Sequence, residues 1–245
     1  MPIPDAQEIA LWQVKLDDSR LDALGASLNR LENDKADRFR SLALQTRYRR
    51  SQGALRQIMS SYLDVPPAAV AFQHGAFGKP ALAGHALQFN LSHSGDAMLL
   101  AVARHAVGVD VERCAGAPLD LAPLLDLLCH ADERAAMEAV APEQRQLLFY
   151  QLWTRKEAYL KALGTGLSVD CRLLSFTPVD AGLWRVRHDG MRASTPYYCR
   201  DLQLGDAALC AAVCSRHPQA PLSLRCLLAD GSPAGQALRQ AACLP

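Results

Sequence analysis

Read for the spacing of its apolar positions, the chain changes period several times. From Asp18 or Ser19, either of which can cap a helix, Leu21, Leu24 and Leu28 recur at helical spacing. Leu55, Ile58, Met59 and Tyr62 form a second stripe of that period, and Val65-Pro66-Pro67 ends it. Short β-like runs between turn residues follow at 70–72, 87–91, 98–103 and 107–111, with "GAFGKPALAG" (75–84) a loop by composition. A second helical block covers 119–163, interrupted near Pro142 and closed by Gly164. Beyond it "RLLSFTP", "LWRVRH", "YYCRDLQL", "ALCAAVC" and "LSLRCLL" alternate as strands do, and the final "ADGSPAGQALRQAACLP" reads as a loosely held tail. The order of helices, strands, helices and strands predicts an α+β fold. It also suggests two similar halves joined near His105, an N-terminal α+β half over 1–105 and a C-terminal one over 106–245.

Composition narrows the setting. A chain of 245 residues, 50% hydrophobic and 21% charged, can bury one large core or two modest ones as a soluble globular protein. A formal net charge of +1 argues against wholesale binding to nucleic acid or membrane, so an anionic partner has to be met by a local patch. No apolar run approaches the ~20 residues of a spanning helix. The opening "MPIPDAQEIALW" lacks the basic and apolar regions of a secretory leader, so a cytoplasmic protein is expected. The eight cysteines are scattered without a C-x-x-C pair and are expected to be reduced.

Candidate chemistry starts in "YQLWTRKEAYLKALGTGL" (150–167). This helix must bury Trp153 and Leu160, yet it sets Glu157 between Lys156 and Lys161, with Glu157 and Lys161 four apart on one face. A surface ion pair explains that spacing; so does a metal and phosphate site with partners elsewhere. In "AVGVDVERC" the valines alternate with Gly108, Asp110 and Glu112, so both acids leave the strand on one side. Two such carboxylates repel unless solvent or a cation lies between them, and their hard oxygens suit Mg²⁺. Lys79 in "FGKPAL" is a turn lysine or an anion contact. Ser92, His93 and Ser94 in "FNLSHSGD" serve a hairpin turn or bind phosphate at a strand end. Arg38, Arg40, Arg47, Arg49, Arg50 and Arg56, without an intervening acid, form either a solvated helix face or the local anion patch.

The succession "FGKP", "FNLSHSG", "GVDVE" and "WTRKEAYLKALGTGL" resembles the 4′-phosphopantetheinyl transferases, specifically the larger monomeric surfactin-type class. Close matches run from Phe77 to Leu167 and include Trp153, Lys156, Glu157, Lys161, Gly164, Gly166 and Leu167. The resemblance implies a pseudo-dimeric α+β fold with the active site at the junction of its halves. It implies transfer of the phosphopantetheine arm of coenzyme A to a serine of an acyl, polyketide or peptidyl carrier protein, releasing 3′,5′-ADP. Asp110, Glu112 and Glu157 are then the Mg²⁺ ligands. Arg47, Lys79, Ser92 and His93 are the coenzyme A contacts, and Lys161 is the phosphate-side catalytic lysine. Glu157 is the first choice for the base, directly or through a water. A monomer follows, because pseudo-symmetry makes a second chain unnecessary. The contrasting reading is a non-catalytic binder of coenzyme A or of a carrier; it has no need of Glu157 or Lys161.

Overall fold

The computed structural model describes residues 1–75, 77–116, 118–191, 195–227 and 233–236, with backbone alone at Leu167 and 233–236. Two five-stranded sheets are packed face to face, and each carries a long helix on its outer side. The chain opens with β1 (Ile9–Lys15), a 3₁₀ segment Ser19–Ser27 and helices α1 (Arg30–Asp37) and α2 (Leu42–Leu63). The hairpin β2 (Phe72–His74) and β3 (Pro80–Leu82) follows, then β4 (Gln88–Ser94), β5 (Ala97–Ala103) and β6 (Gly108–Arg113). Helices α3 (Leu121–Leu128), α4 (Ala131–Ala139) and α5 (Pro142–Leu163) lead to β7 (Leu174–Asp180), β8 (Leu183–His188), β9 (Tyr198–Asp201) and β10 (Leu209–Ser215). Finally β11 (Leu222–Leu227) and β12 (Pro233–Gln236) return to the first sheet. The first sheet has the order β12-β11-β1-β5-β4 and the second β6-β10-β9-β8-β7.

The same connection occurs twice. β1 is followed by helices and lies antiparallel to β5, which pairs with β4. β6 is followed by helices and lies antiparallel to β10, which pairs with β9. β11 breaks the parallel between the two by lying beside β1 in the first sheet.

Alternation along the strands divides the core into layers. Met98, Leu100 and Val102 of β5 face α2, meeting its stripe of Leu55, Ile58, Met59 and Tyr62. Leu99, Ala101 and Ala103 face the second sheet, where they meet Val107, Val109 and Val111. The far side of that sheet takes Ala158, Tyr159 and Ala162 of α5 against Ala212, Cys214 and Cys199. At about 25 cal/mol per Å² of apolar surface removed from water, these layers are the main favourable term in folding.

Several local expectations change. β1, absent from the sequence reading, is buried on both faces, so "IALW" carries no alternation to mark it. The expected first helix begins as 3₁₀ at Ser19, with Asp18 capping Arg20 N–H, and α1 starts separately at the Asn29–Glu32 capping box. The strand expected at 70–72 lies at Phe72–His74, and the 75–84 loop contains β3. The second helical block has a further break at Cys129–His130, and Pro142 opens α5 at its first turn. Gly164, left-handed at φ 75°, ends α5 as expected. The loosely held tail lies outside the described residues apart from β12, as do Cys243 and the Leu167 side chain. No helix among the described residues is long and apolar enough to cross a membrane.

Candidate functional site

β4 and β6 are the outermost strands of their respective sheets, and side chains join them. Alternation sends Asn90, Ser92 and Ser94 from β4 to the side that meets β6. Asn90 Oδ1 accepts the Val109 N–H at 2.8 Å. Ser92 Oγ donates to Asp110 Oδ1 at 2.6 Å, and Ser94 Oγ donates to Glu112 Oε2 at 2.7 Å. A serine every second residue thus meets an acid every second residue. His93, on the other side of β4, is exposed.

Helix α5 brings the remaining charges. Gly108 sets its distance from β6: a Cβ there would stand 2.0 Å from the Ala158 carbonyl oxygen and 2.3 Å from Ala162 N, so only glycine admits the helix this close. Lys161 then reaches across, its Nζ 2.6 Å from Asp110 Oδ1 and 2.9 Å from Ser92 Oγ. Lys79 holds the helix end: its ammonium donates to Lys161 O at 2.6 Å and Val107 O at 3.1 Å. A cation at a helix C-terminus complements the carbonyl end of the dipole.

Burial governs the electrostatics. Asp110 is 2% exposed. Its pKa is raised by burial, against the pull of Lys161, Ser92 and the Val111 N–H. Glu112 is raised by burial and by Asp110, and Glu157 by burial and then by Asp110 and Glu112. Each carboxylate is therefore near enough to burden another. Desolvation brings Lys79 down to about 8.

Asp110 Oδ2 and Glu157 Oε1 are buried without a hydrogen-bond partner. Bare carboxylate oxygens in a crowded, like-charged group are costly unless a cation meets them, and hard oxygen donors of this kind suit Mg²⁺. Among the described residues no three histidine, cysteine, aspartate or glutamate side chains stand close enough to hold a metal; Lys161 Nζ lies on Asp110 Oδ1 instead.

The arginine run divides in two. Arg49 pairs with Asp37, Arg50 with Asp22, and Arg56, 2% exposed, with Glu32 and the carbonyls of Pro67 and Val70. Arg38, Arg40 and Arg47 make no side-chain hydrogen bond or ion pair among the described residues, and Arg47 is close enough to Asp96 to lower its pKa. Lys35 adds a cation over the Tyr48 ring, 5.3 Å from its centroid.

The structure brings together Ser92, Asp110, Glu112, Glu157 and Lys161, with Lys79 behind the helix end; His93 and Arg47 lie on the α2 side of the first sheet. Sequence reasoning missed Asn90 and the contact of Ser94 with Glu112. The matching two-residue steps of "NLSHS" and "DVE" carried that signal, but the meeting of the two strands did not show in them. Lys156 turns away from Asp110, Glu112 and Glu157 and pairs with Glu133 Oε2 at 2.7 Å.

Comparison with known proteins gives a consistent picture. Residues 106–214 match the model of the 4′-phosphopantetheinyl transferase superfamily. Over 170 residues the chain is 36% identical to the 4′-phosphopantetheinyl transferase HetI of Nostoc sp. (strain PCC 7120 / SAG 25.82 / UTEX 2576), covering 66% of this chain and 71% of the relative. It is 32% identical over 192 residues to the 4′-phosphopantetheinyl transferase psf-1 of Bacillus pumilus, covering 76% and 77%. It is 26% identical over 174 residues to the 4′-phosphopantetheinyl transferase Sfp of Bacillus subtilis (strain 168), covering 68% and 72%.

Proposed function

The chain belongs to the 4′-phosphopantetheinyl transferase superfamily and is a transferase, and from that premise we propose that it moves the 4′-phosphopantetheine arm of coenzyme A onto a serine of an apo carrier protein, releasing 3′,5′-ADP. The carriers are acyl, polyketide or peptidyl carrier proteins. We read the enzyme as a cytoplasmic monomer of two related halves, 1–105 and 106–245, with the active site at their junction. The repeated strand order and the meeting of β4 with β6 support that division.

One observation carries the reading of the site: three carboxylates lie close enough to act on one another, the Lys161 ammonium contacts only Asp110 among them, and two carboxylate oxygens are buried and unpartnered. Asp110, Glu112 and Glu157 are the residues that would hold Mg²⁺, which when bound neutralises the diphosphate of coenzyme A. Lys161 contributes a second positive charge to the phosphates and to the leaving group. Arg47, Lys79 and His93 are assigned to coenzyme A, with Ser92 at the carboxylate side. The serine oxygen of the carrier bonds to the phosphorus bearing the pantetheine arm. The bond from that phosphorus to the bridging oxygen breaks, and 3′,5′-ADP leaves with the electron pair. Glu157, directly or through a water, is the group assigned to take the hydroxyl proton.

Intact mass spectrometry of an apo carrier, incubated with the protein, coenzyme A and Mg²⁺, tests this reading. The expected result is a gain of one phosphopantetheine arm, blocked by EDTA and by Glu157→Ala. Unchanged transfer by Glu157→Ala refutes the site. Coenzyme A binding without transfer to any of the three carrier classes turns the reading to a non-catalytic binder.

A further inference from the structure

We propose that Ser94 is a positioning residue that fixes the orientation of Glu112 for cation binding. The proposal rests on the reading of Glu112 as a ligand. Glu112 is the longest-armed acid on β6 and only partly buried, so packing alone leaves its carboxylate several rotamers. The hydroxyl of Ser94 removes that freedom. Its oxygen accepts the Arg113 N–H at 3.1 Å, and its single proton is directed to Glu112 Oε2 at 2.7 Å. A hydroxyl has one proton to give, and here the accepted bond from Arg113 helps to set where it points.

Both ends of this contact are anchored. The Arg113 guanidinium holds Asp96 at 2.6 Å, in the β4–β5 turn two residues beyond Ser94, and reaches Asp206 at 3.5 Å. Ser92 donates to Asp110 in the same way, but the group it accepts from is the Lys161 ammonium instead of a backbone N–H. The Ser94 hydroxyl donates to Glu112 and accepts from the backbone of Arg113, so among the described residues Glu112 is the one side chain it orients. One strand thereby supplies outer-shell donors to ligands on a strand of the other sheet. Outer-shell partners of this kind are commonly worth 10–100-fold in metal affinity.

The test is direct Mn²⁺ titration of the full-length protein by electron paramagnetic resonance, with thermal unfolding in parallel, on Ser94→Ala, Ser94→Thr and Glu112→Gln. Ser94→Ala is expected to weaken Mn²⁺ binding about 10-fold, with a fall of only about 2–4 °C in melting temperature from the acceptor lost to the Arg113 N–H. The Mg²⁺ concentration giving half-maximal transfer should rise by the same factor. Ser94→Thr, which keeps the hydroxyl, should restore both. If Ser94→Ala binds Mn²⁺ like wild type while Glu112→Gln does not, the positioning role is overturned and the ligand set stands. If Glu112→Gln also binds like wild type, the ligand reading falls and this proposal with it. Equal weakening in Ser94→Ala and Ser94→Thr, tracked by a loss of melting temperature, overturns it in favour of a packing role.

Discussion

On the face of α5 turned toward α4 and β7, Lys156 is 1% exposed, and its ammonium is shared by Glu133 Oε2, the Cys171 carbonyl at 2.7 Å and the Leu174 carbonyl at 2.9 Å. On the face turned toward β6, Lys161 meets Asp110 while Glu112 and Glu157 add two more carboxylates. The first face is balanced, one cation against one acid, and Arg155 beside it is likewise matched to Asp201. The second carries three acids for one ammonium. A buried pair that balances is part of the fold, whereas a persistent surplus of one sign marks a place where something of the opposite sign is meant to arrive. Five residues along one helix separate the two situations.

The contrast can be broken at its balanced side most severely. Lys156→Met leaves Glu133, 9% exposed at its side chain, without its cation, and should cost about 3–5 kcal/mol in urea denaturation. Adding Glu133→Leu should return most of that loss, because a matched apolar pair replaces a matched ionic one. Gly108→Ala comes next. It drives a methyl group into the α5 backbone and should destabilise by about 3 kcal/mol, with Glu157 and Lys161 displaced from β6 and transfer activity lost together. The smallest effect has the opposite sign. Glu157→Gln should raise the melting temperature of the metal-free protein, by about 2–4 °C for each kcal/mol relieved. The raised pKa of Glu157 means that its ionised form is disfavoured by folding, so wild type is penalised as pH rises through that value. The advantage of the glutamine variant should therefore be largest above the raised pKa, shrink as pH falls through it and be gone at the ordinary glutamate value, a trend that melting curves across pH will show.

How much of this was legible depends on whether a feature is local. The D-x-E step of β6 and the glycine stop of α5 are set by neighbours in sequence, and both are where the spacing puts them. The six arginines looked alike because nothing local distinguishes them. Arg56 is separated from Glu32 by 24 residues and Arg50 from Asp22 by 28, so only the folded chain sorts ion pair from free cation. Lys156 sits within the motif that pointed to the site, but its partner Glu133 lies on another helix. β1 escaped because a strand buried on both faces has no polar phase to reveal it. The α+β class survived these omissions, since it needs only the order of the larger elements.

The bonds that join β4 to β6 also bear on how the folded molecule behaves among copies of itself. An outermost strand presents a row of backbone donors that can template pairing with another chain. Along β6 two of those donors are already taken by side chains of β4: Val109 by Asn90 and Arg113 by Ser94. Ser94 meets both the Glu112 carboxylate and the Arg113 N–H, so one side chain that orders an acid also blunts a sticky edge.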